Sequence, residues 1–223
     1  NYNFLSLIPA KLKSYRLRKK NLLKLKNRSL LETTLDNSLK SKLIKKTFVS
    51  TNSKKILNHL KNRDCKTFLR LKKFSSNKAG STKVIQDFII QFELSKLKNA
   101  YIVYLQPTSP FRSFIHINKA INKFIKNKNS TLISLKNINS ELLKSYYMKK
   151  KKFIPLFNDA IITNNQDLPK VYIPNGAIFI FSVKEFLKYN KIPTKNFCPF
   201  IMDFKSSIDI NTRNDYLIAK KLS

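Results

Sequence analysis

Ala100-Tyr-Ile-Val-Tyr-Leu105 is an uninterrupted apolar run, and Gln106-Pro-Thr-Ser-Pro-Phe-Arg112 follows it directly. Such a run predicts a strand buried on both faces, as in a parallel sheet covered by helices. Upstream, Val84, Ile85, Phe88, Ile89 and Phe92 fall on one helical face, which predicts an amphipathic helix from a Ser81 cap to about Leu97. Downstream, a helix is expected near Ile115–Asn127 and a strand near Thr131–Leu135.

Working outward, strand and helix signals keep alternating. Phe4–Pro9, Thr47–Thr51 and Thr67–Leu69 read as strands, and Lys54–Leu60 as a helix. Ser29-Leu-Leu-Glu32 is a capping box that opens a helix to about Leu39. Past residue 172 the rhythm resumes with a strand at Ala177–Phe181, a helix near Val183–Tyr189, and an extended segment around Phe200–Phe204. A final helix follows, opened by the capping-box-like Thr212-Arg-Asn-Asp215. Residues 136–172 break the alternation. They are polar and lysine-rich, with Tyr146, Tyr147, Phe153 and Phe157 among them. The pattern predicts an α/β fold: a mostly parallel sheet with helices on both faces, as one domain over 1–223 with an inserted arm at about 136–172. Ligands of such sheets bind outside the carboxyl ends of the strands. Functional residues are therefore expected just after Ile8, Leu105 and Phe204.

The chain has 223 residues, 42% hydrophobic and 12% aromatic, enough to build a core. Lys and Arg number 45 against 12 acidic residues, a formal net charge of +33. That excess raises polyanions as partners. The lysines are spread along the whole chain among Asn, Ile, Phe and Tyr, however, a pattern that A/T-rich codon usage also produces. Weak, salt-sensitive contact with nucleic acid is expected, with no specific site. Cys65 and Cys198 form no C-x-x-C pair, and His59 and His116 are isolated, so neither a zinc site nor histidine chemistry is indicated. Two cysteines fit a reducing cytoplasm. The longest apolar runs are too short to cross a membrane, and the start of the chain reads as a strand without a basic leader.

Gly80 and Gly176 are the only glycines. Glycine-rich dinucleotide and P-loop cradles, and the G-x-S-x-G elbow, therefore cannot be written in this sequence. A phosphate would be held by cationic side chains, backbone amides and a metal ion. The basic stretch Lys11–Asn21 offers donors directly after a strand, though a solvated basic loop would look the same.

Four segments in order are similar to the acylneuraminate (sialic acid) cytidylyltransferases: Ile8-Pro-Ala-Lys11 through Ser14 to Lys20-Asn21; Leu105-Gln-Pro-Thr-Ser-Pro-Phe-Arg112; Gln166-Asp-Leu-Pro-Lys-Val-Tyr172 with Pro174-Asn-Gly-Ala177; and Ser207-Ile-Asp-Ile-Asn-Thr212. The second and third are the specific ones. The resemblance implies a Rossmann-like nucleotide-diphospho-sugar transferase fold. The implied reaction transfers CMP from CTP to an acidic keto-sugar, sialic acid or a related nonulosonic acid. Ala10, Lys11, Ser14, Lys20 and Asn21 would then wrap the nucleotide, and Arg70, Ala79 and Ser81 would read cytosine. Gln106, Thr108, Ser109, Asn175 and Gly176 would face the sugar. Lys20 and Asp209 would be catalytic, with Mg²⁺ at Asp209 and Asn211. The resemblance further implies a homodimer in which the arm covers the partner's sugar site.

The residues themselves also permit plainer roles. Ser81 reads as a helix cap, Pro107–Pro110 as turn chemistry, and Asp209 as a cap before the last helix. The chain departs from the family pattern at Lys11, Leu12, Lys13, Asn77, Asn165 and Asn211. A nucleotide-binding relative without turnover, and a basic nucleic-acid-binding protein, are the rival readings.

Overall fold

The structure is a computed structural model that describes residues 2–12, 14, 16–75, 80–127 and 131–223. Of the positions named above, Lys13, Asn77 and Ala79 lie outside the described residues. The strands are β1 (Asn3–Ala10), β2 (Lys24–Leu25), β3 (Arg28–Ser29), β4 (Lys46–Thr51), β5 (Lys66–Leu69), β6 (Ala100–Tyr104), β7 (Thr131–Ile138), β8 (Tyr146–Lys149), β9 (Lys152–Pro155), β10 (Val171–Ser182) and β11 (Cys198–Ile201). The helices are α1 (Leu30–Leu39), α2 (Lys54–His59), α3 (Ser81–Gln91), α4 (Phe114–Asn127), α5 (Val183–Tyr189) and α6 (Arg213–Leu222).

Seven strands form one sheet in the order β11-β7-β10-β6-β1-β4-β5. β10 runs antiparallel to both its neighbours, and the other pairings are parallel. Successive strand residues point to opposite faces, and the two cores follow that alternation. Ile8, Val49, Val103 and Ile180 meet Leu31, Leu35, Ile56, Leu60, Ile117 and Ile121, from α1, α2, the turn after it and α4. Leu7, Phe48, Ile102 and Phe181 meet Val84, Ile85 and Phe88 of α3 and Phe186 of α5. The sheet is thus buried on both faces, as the apolar run at 100–105 predicted. Each fully buried aliphatic or aromatic side chain contributes roughly 1.5–3 kcal/mol. Phe88 is fully buried, with its ring 4.8 Å from that of Phe48. Phe88→Ala would cost about 3–5 kcal/mol.

Both capping boxes form. Ser29 Oγ accepts from the Glu32 amide at 3.2 Å while Glu32 Oε2 accepts from the Ser29 amide at 2.9 Å. Thr212 and Asp215 do the same for α6. α3 departs from expectation at both ends. Gly80 is its N-cap and Ser81 its first helical residue, so Ser81 is no cap. The helix stops at Gln91, because Phe92 leaves helical geometry and Glu93 turns left-handed at φ 47°. A separate 3-10 turn at Leu94–Lys96 then carries Leu94 into the core.

β10 begins six residues before the strand expected at Ala177–Phe181. Its pairing with β7 shifts register between Pro174 and Phe179, and Gly176 sits there with φ +76°. Proline removes a ladder donor and a left-handed residue bends the strand, which explains the shift. Between β7 and β10, β8 and β9 pair only with each other. Tyr146, Tyr147, Met148 and Phe153 on that hairpin are exposed, Phe153 at 73%.

Candidate active site

At the carboxyl ends of the central strands lies a cleft of about 230 Å³. Its walls include Lys11, Ser14, Lys20 and Asn21 from the first loop, Arg70 after β5, Ser81 of α3, and Gln106 and Thr108 after β6. Two larger cavities, of about 470 and 480 Å³, open at the amino ends, where β4 and β5 begin and where β6 begins. We place the site in the smaller cleft. It lies where ligands of such sheets bind, and it gathers six of the eight nucleotide-facing residues expected from the sequence: Lys11, Ser14, Lys20, Asn21, Arg70 and Ser81.

The first loop is fastened from beneath. Asn21 Nδ2 donates to the Lys11 carbonyl at 2.8 Å, and the Leu12 amide donates to Asn52 Oδ1 at 3.2 Å. Asn21 thus shapes the loop, with its amide nitrogen turned inward and the residue buried. Burial, reinforced by the neighbouring Arg70, lowers the Lys11 pKa. Burial also lowers that of Lys20, with Arg16 acting the same way and Asp209 and Asp215 opposing.

Arg70 is buried, with Nε on Ser50 Oγ at 2.8 Å and Nη2 on the Ser50 carbonyl at 3.0 Å. Its Nη1 has no hydrogen-bond partner among the described residues. A buried donor left unpaired costs about 1–3 kcal/mol, so this edge of the guanidinium is suited to a ligand acceptor. Tyr104 lines the same cleft, fully buried, and hydrogen-bonds Ser81. Sequence reading missed it, because a tyrosine inside an apolar strand looks like core.

Lys20 Nζ donates to Asn211 Oδ1 at 3.1 Å, and Arg16 Nη2 donates to the same oxygen at 3.3 Å. On its other side, Asn211 Nδ2 donates to Asp209 Oδ2 at 2.5 Å. Asp209 Oδ1 is buried without a partner. A carboxamide suits this place because it accepts from an ammonium and donates to a carboxylate at once. Gly176 closes the group: a Cβ there would lie 3.7 Å from Gln106 Oε1 and 3.9 Å from Asp209 Oδ2. The structure therefore brings Lys20, Asn211, Asp209, Gly176 and Gln106 together.

Thr108 lines the cleft, with its buried hydroxyl unpartnered among the described residues. Other expected site residues are not among its walls. Ala10 is buried at the end of β1, and Ser109 is buried with its hydroxyl unpartnered. Asn175 spends its amide on the scaffold. Its Oδ1 accepts from Ser134 Oγ at 2.6 Å and the Ala177 amide at 3.1 Å, while Nδ2 donates to Ser207 Oγ at 2.9 Å. Among the described residues no group of three or more His, Cys, Asp or Glu could hold a metal. No described helix is long and apolar enough to cross a membrane.

The last residue of the 105–112 segment was given no role in sequence reading. Arg112 is 1% exposed and, among the described residues, has no carboxylate partner. Burial pushes its pKa down to about 9.

Comparison with known proteins gives the family and the fold. A family model described as cytidylyltransferase matches residues 5–215. The N-acylneuraminate cytidylyltransferase of Streptococcus agalactiae serotype III is 28% identical over 214 residues, covering 95% of this chain and 51% of that protein. The chain thus spans about half the length of the N-acylneuraminate relatives it matches. The pseudaminic acid cytidylyltransferase of Campylobacter jejuni is 24% identical over 220 residues, covering 98% and 95% of the two chains. In fold, the solved structure of CMP:2-keto-3-deoxy-manno-octonic acid synthetase complexed with CTP superposes with a TM-score of 0.73 at 11% identity, covering 99% and 98%.

Proposed function

The chain belongs to the cytidylyltransferase family, and from that premise we propose that it transfers CMP from CTP to an acidic keto-sugar of the nonulosonic class. The anomeric oxygen of the sugar attacks the α-phosphorus, the bond to the β-phosphate breaks, and pyrophosphate leaves. The observation that carries this reading is the meeting of Lys20 with the Asn211–Asp209 pair beside a cleft edged by Arg70 and Gln106. Names of relatives support the sugar class: N-acylneuraminate and pseudaminic acid cytidylyltransferases.

Each residue then has a task. Lys20, Arg16 and Lys11 hold phosphate charge, which is the main catalytic need as pyrophosphate departs. Arg70 offers Nη1 to an acceptor on the base, with Ser81 beside it. Gln106, with Gly176 keeping the space before it open, faces the sugar. Asp209 fits a divalent cation. Its buried Oδ1 is unpaired, and Mg²⁺ is commonly held by one or two carboxylates plus substrate phosphates. When bound, Mg²⁺ supplies charge neutralisation on the phosphates. Asn211, its oxygen engaged by Lys20 and Arg16, orients Asp209 and the cations around it.

The chain acts as one domain, with residues 136–172 as an arm that pairs two copies. The support is the exposed Tyr146, Tyr147, Met148 and Phe153 on a lone two-stranded hairpin, a unit marginal by itself in water. Pyrophosphate release from CTP with a panel of acidic keto-sugars tests the function. Release with at least one of them is expected. None with any, from a folded protein that binds CTP, would leave the non-catalytic relative as the correct reading.

A further inference from the structure

Arg112 is the largest fully buried side chain among the described residues, and it is a cation with no anion against it. Its Nη1 donates to the carbonyls of Gln106 at 2.9 Å and Ala177 at 2.8 Å. Its Nη2 donates to Thr34 Oγ1 at 2.9 Å, which backs the guanidinium against α1. A buried unpaired charge is among the costliest things a core can hold. An apolar side chain would fill the volume without that cost, so a role in the core alone does not account for an arginine here.

The acceptors say what the charge does. Gln106 lies just past the end of β6, and Ala177 follows Gly176 at the irregular point of β10. Arg112 therefore ties together the two strands whose facing groups, Gln106 Oε1 and the open Cα of Gly176, bound one wall of the cleft. The turn that Arg112 closes does more. The Ser109 amide donates to the Gln106 carbonyl and the Arg112 amide to the Ser109 carbonyl. The Thr108 carbonyl takes the Ile210 amide at 2.8 Å, between Asp209 and Asn211. Only a planar fork with fixed donors reaches two carbonyls from one nitrogen and a hydroxyl from the other in this geometry; lysine has a single charged centre.

We propose that Arg112 is a positioning residue that sets the sugar-side wall of the cleft, holding Gln106 and Gly176 in register through their main chain. This rests on the transferase reading for the ligand it serves, and the placement itself is measurable without turnover.

Wild type, Arg112→Lys and Arg112→Met are compared in two ways. Hydrogen–deuterium exchange reads the placement. Peptides covering 105–109 and 174–178 should exchange faster in the variants, with residues 46–51 of β4 unchanged. Steady-state pyrophosphate release reads the consequence. KM for the keto-sugar should rise at least tenfold in Arg112→Lys, with KM for CTP within twofold. Unchanged exchange, faster exchange over the whole sheet, or equal rises in both KM values would overturn the proposal and leave Arg112 a general core staple. If wild type releases no pyrophosphate while exchange changes only at 105–109 and 174–178, the transferase reading fails and the positioning role stands. Should Arg112→Met fail to fold, Arg112→Lys carries the test.

Discussion

The Lys20 ammonium and the Asn211 side-chain carbonyl stand 3.1 Å apart, though 191 residues separate them in the chain. The contact joins the loop after the first strand to the segment before the last helix. It also fixes the orientation of the Asn211 amide, whose nitrogen then faces Asp209. Asn211→Asp would place a second carboxylate oxygen against Asp209 where an N–H donor now stands. Without nucleotide, the variant should melt below wild type and recover as Mg²⁺ is added, since a cation relieves the like-charge pair. Wild type should be insensitive to Mg²⁺ under the same conditions. Matching melting curves with and without Mg²⁺ for both proteins would show that residues 209 and 211 do not face each other.

Asp209→Ala separates chemistry from folding. Of the two Asp209 oxygens only Oδ2 is hydrogen-bonded among the described residues, accepting from Asn211 Nδ2, so losing the carboxylate should cost about 1.5–3 kcal/mol, the scale of one hydrogen bond to a charged group. Pyrophosphate release should fall by roughly 100-fold or more, the scale of removing one preorganised electrostatic group. Thermal denaturation and initial rates on the same preparation check both halves.

Base choice should follow Arg70. On the proposed reading its unpaired Nη1 meets an acceptor on the base edge, so CTP should stabilise the protein more than ATP, GTP or UTP. A nucleotide at 100 times its dissociation constant adds about 2.7 kcal/mol. Arg70→Lys keeps charge but loses the fork anchored on Ser50, and the CTP shift should shrink toward that of UTP. Equal shifts with all four nucleotides in wild type would show that the pocket does not read the base.

Alkaline pH should weaken nucleotide binding early. Burial, the largest influence, lowers the pKa of Lys20 and of Lys11 below the ordinary 10.5. For folding, the unfolded state then binds more protons above the lowered values, so the cost of burying these amines falls as pH rises. For binding the sign is reversed, because a triphosphate needs the ammonium. KM for CTP should rise with pH from below 10.5, and Lys20→Arg, whose guanidinium stays charged, should move that rise to higher pH. A profile identical in wild type and Lys20→Arg would remove Lys20 from phosphate binding.

The hairpin at β8 and β9 should control assembly. Deleting residues 144–157 removes Tyr146, Tyr147, Met148 and Phe153 together. Light scattering should show a dimer for the intact chain and a monomer that still binds CTP for the deletion. An intact protein that is monomeric at micromolar concentration would refute the pairing role.

Much of the fold was legible because its signals are local. Ser29 with Glu32, and Thr212 with Asp215, announce helices α1 and α6 within four residues. The apolar run at 100–105 announces a buried strand. What stayed hidden depends on distance or direction. An apolar strand reads alike whether it runs parallel or antiparallel, so the reversal of β10 left no mark. Pro174 and Gly176 break a strand pattern, and they concealed the first half of that strand. Leu94 and Leu97 extend the apolar period of α3, and only the left-handed Glu93 breaks the helix. In the site, Lys11, Lys20, Arg70 and Gln106 were found through the motifs that carry them, and they share one cleft. Asn175 shows the limit of the method. A motif names a residue without saying whether its side chain meets a ligand or, as here, Ser134 and Ser207. Arg112 is the converse, since charge argues for the surface and gives no hint of burial.

The reversed strand has a consequence for how such a protein can diverge. β7 ends, and β10 begins, on the same side of the sheet as the mouths of β1 and β6, and Ile138 pairs directly with Val171. The thirty-odd residues between them therefore form an excursion that departs and returns at one doorstep. Insertions and deletions there leave the sheet order and the first loop untouched, as surface connections tolerate them. On the proposed function, this excursion is the part of the chain that can be rewritten as acceptors change, while the first loop keeps to its nucleotide.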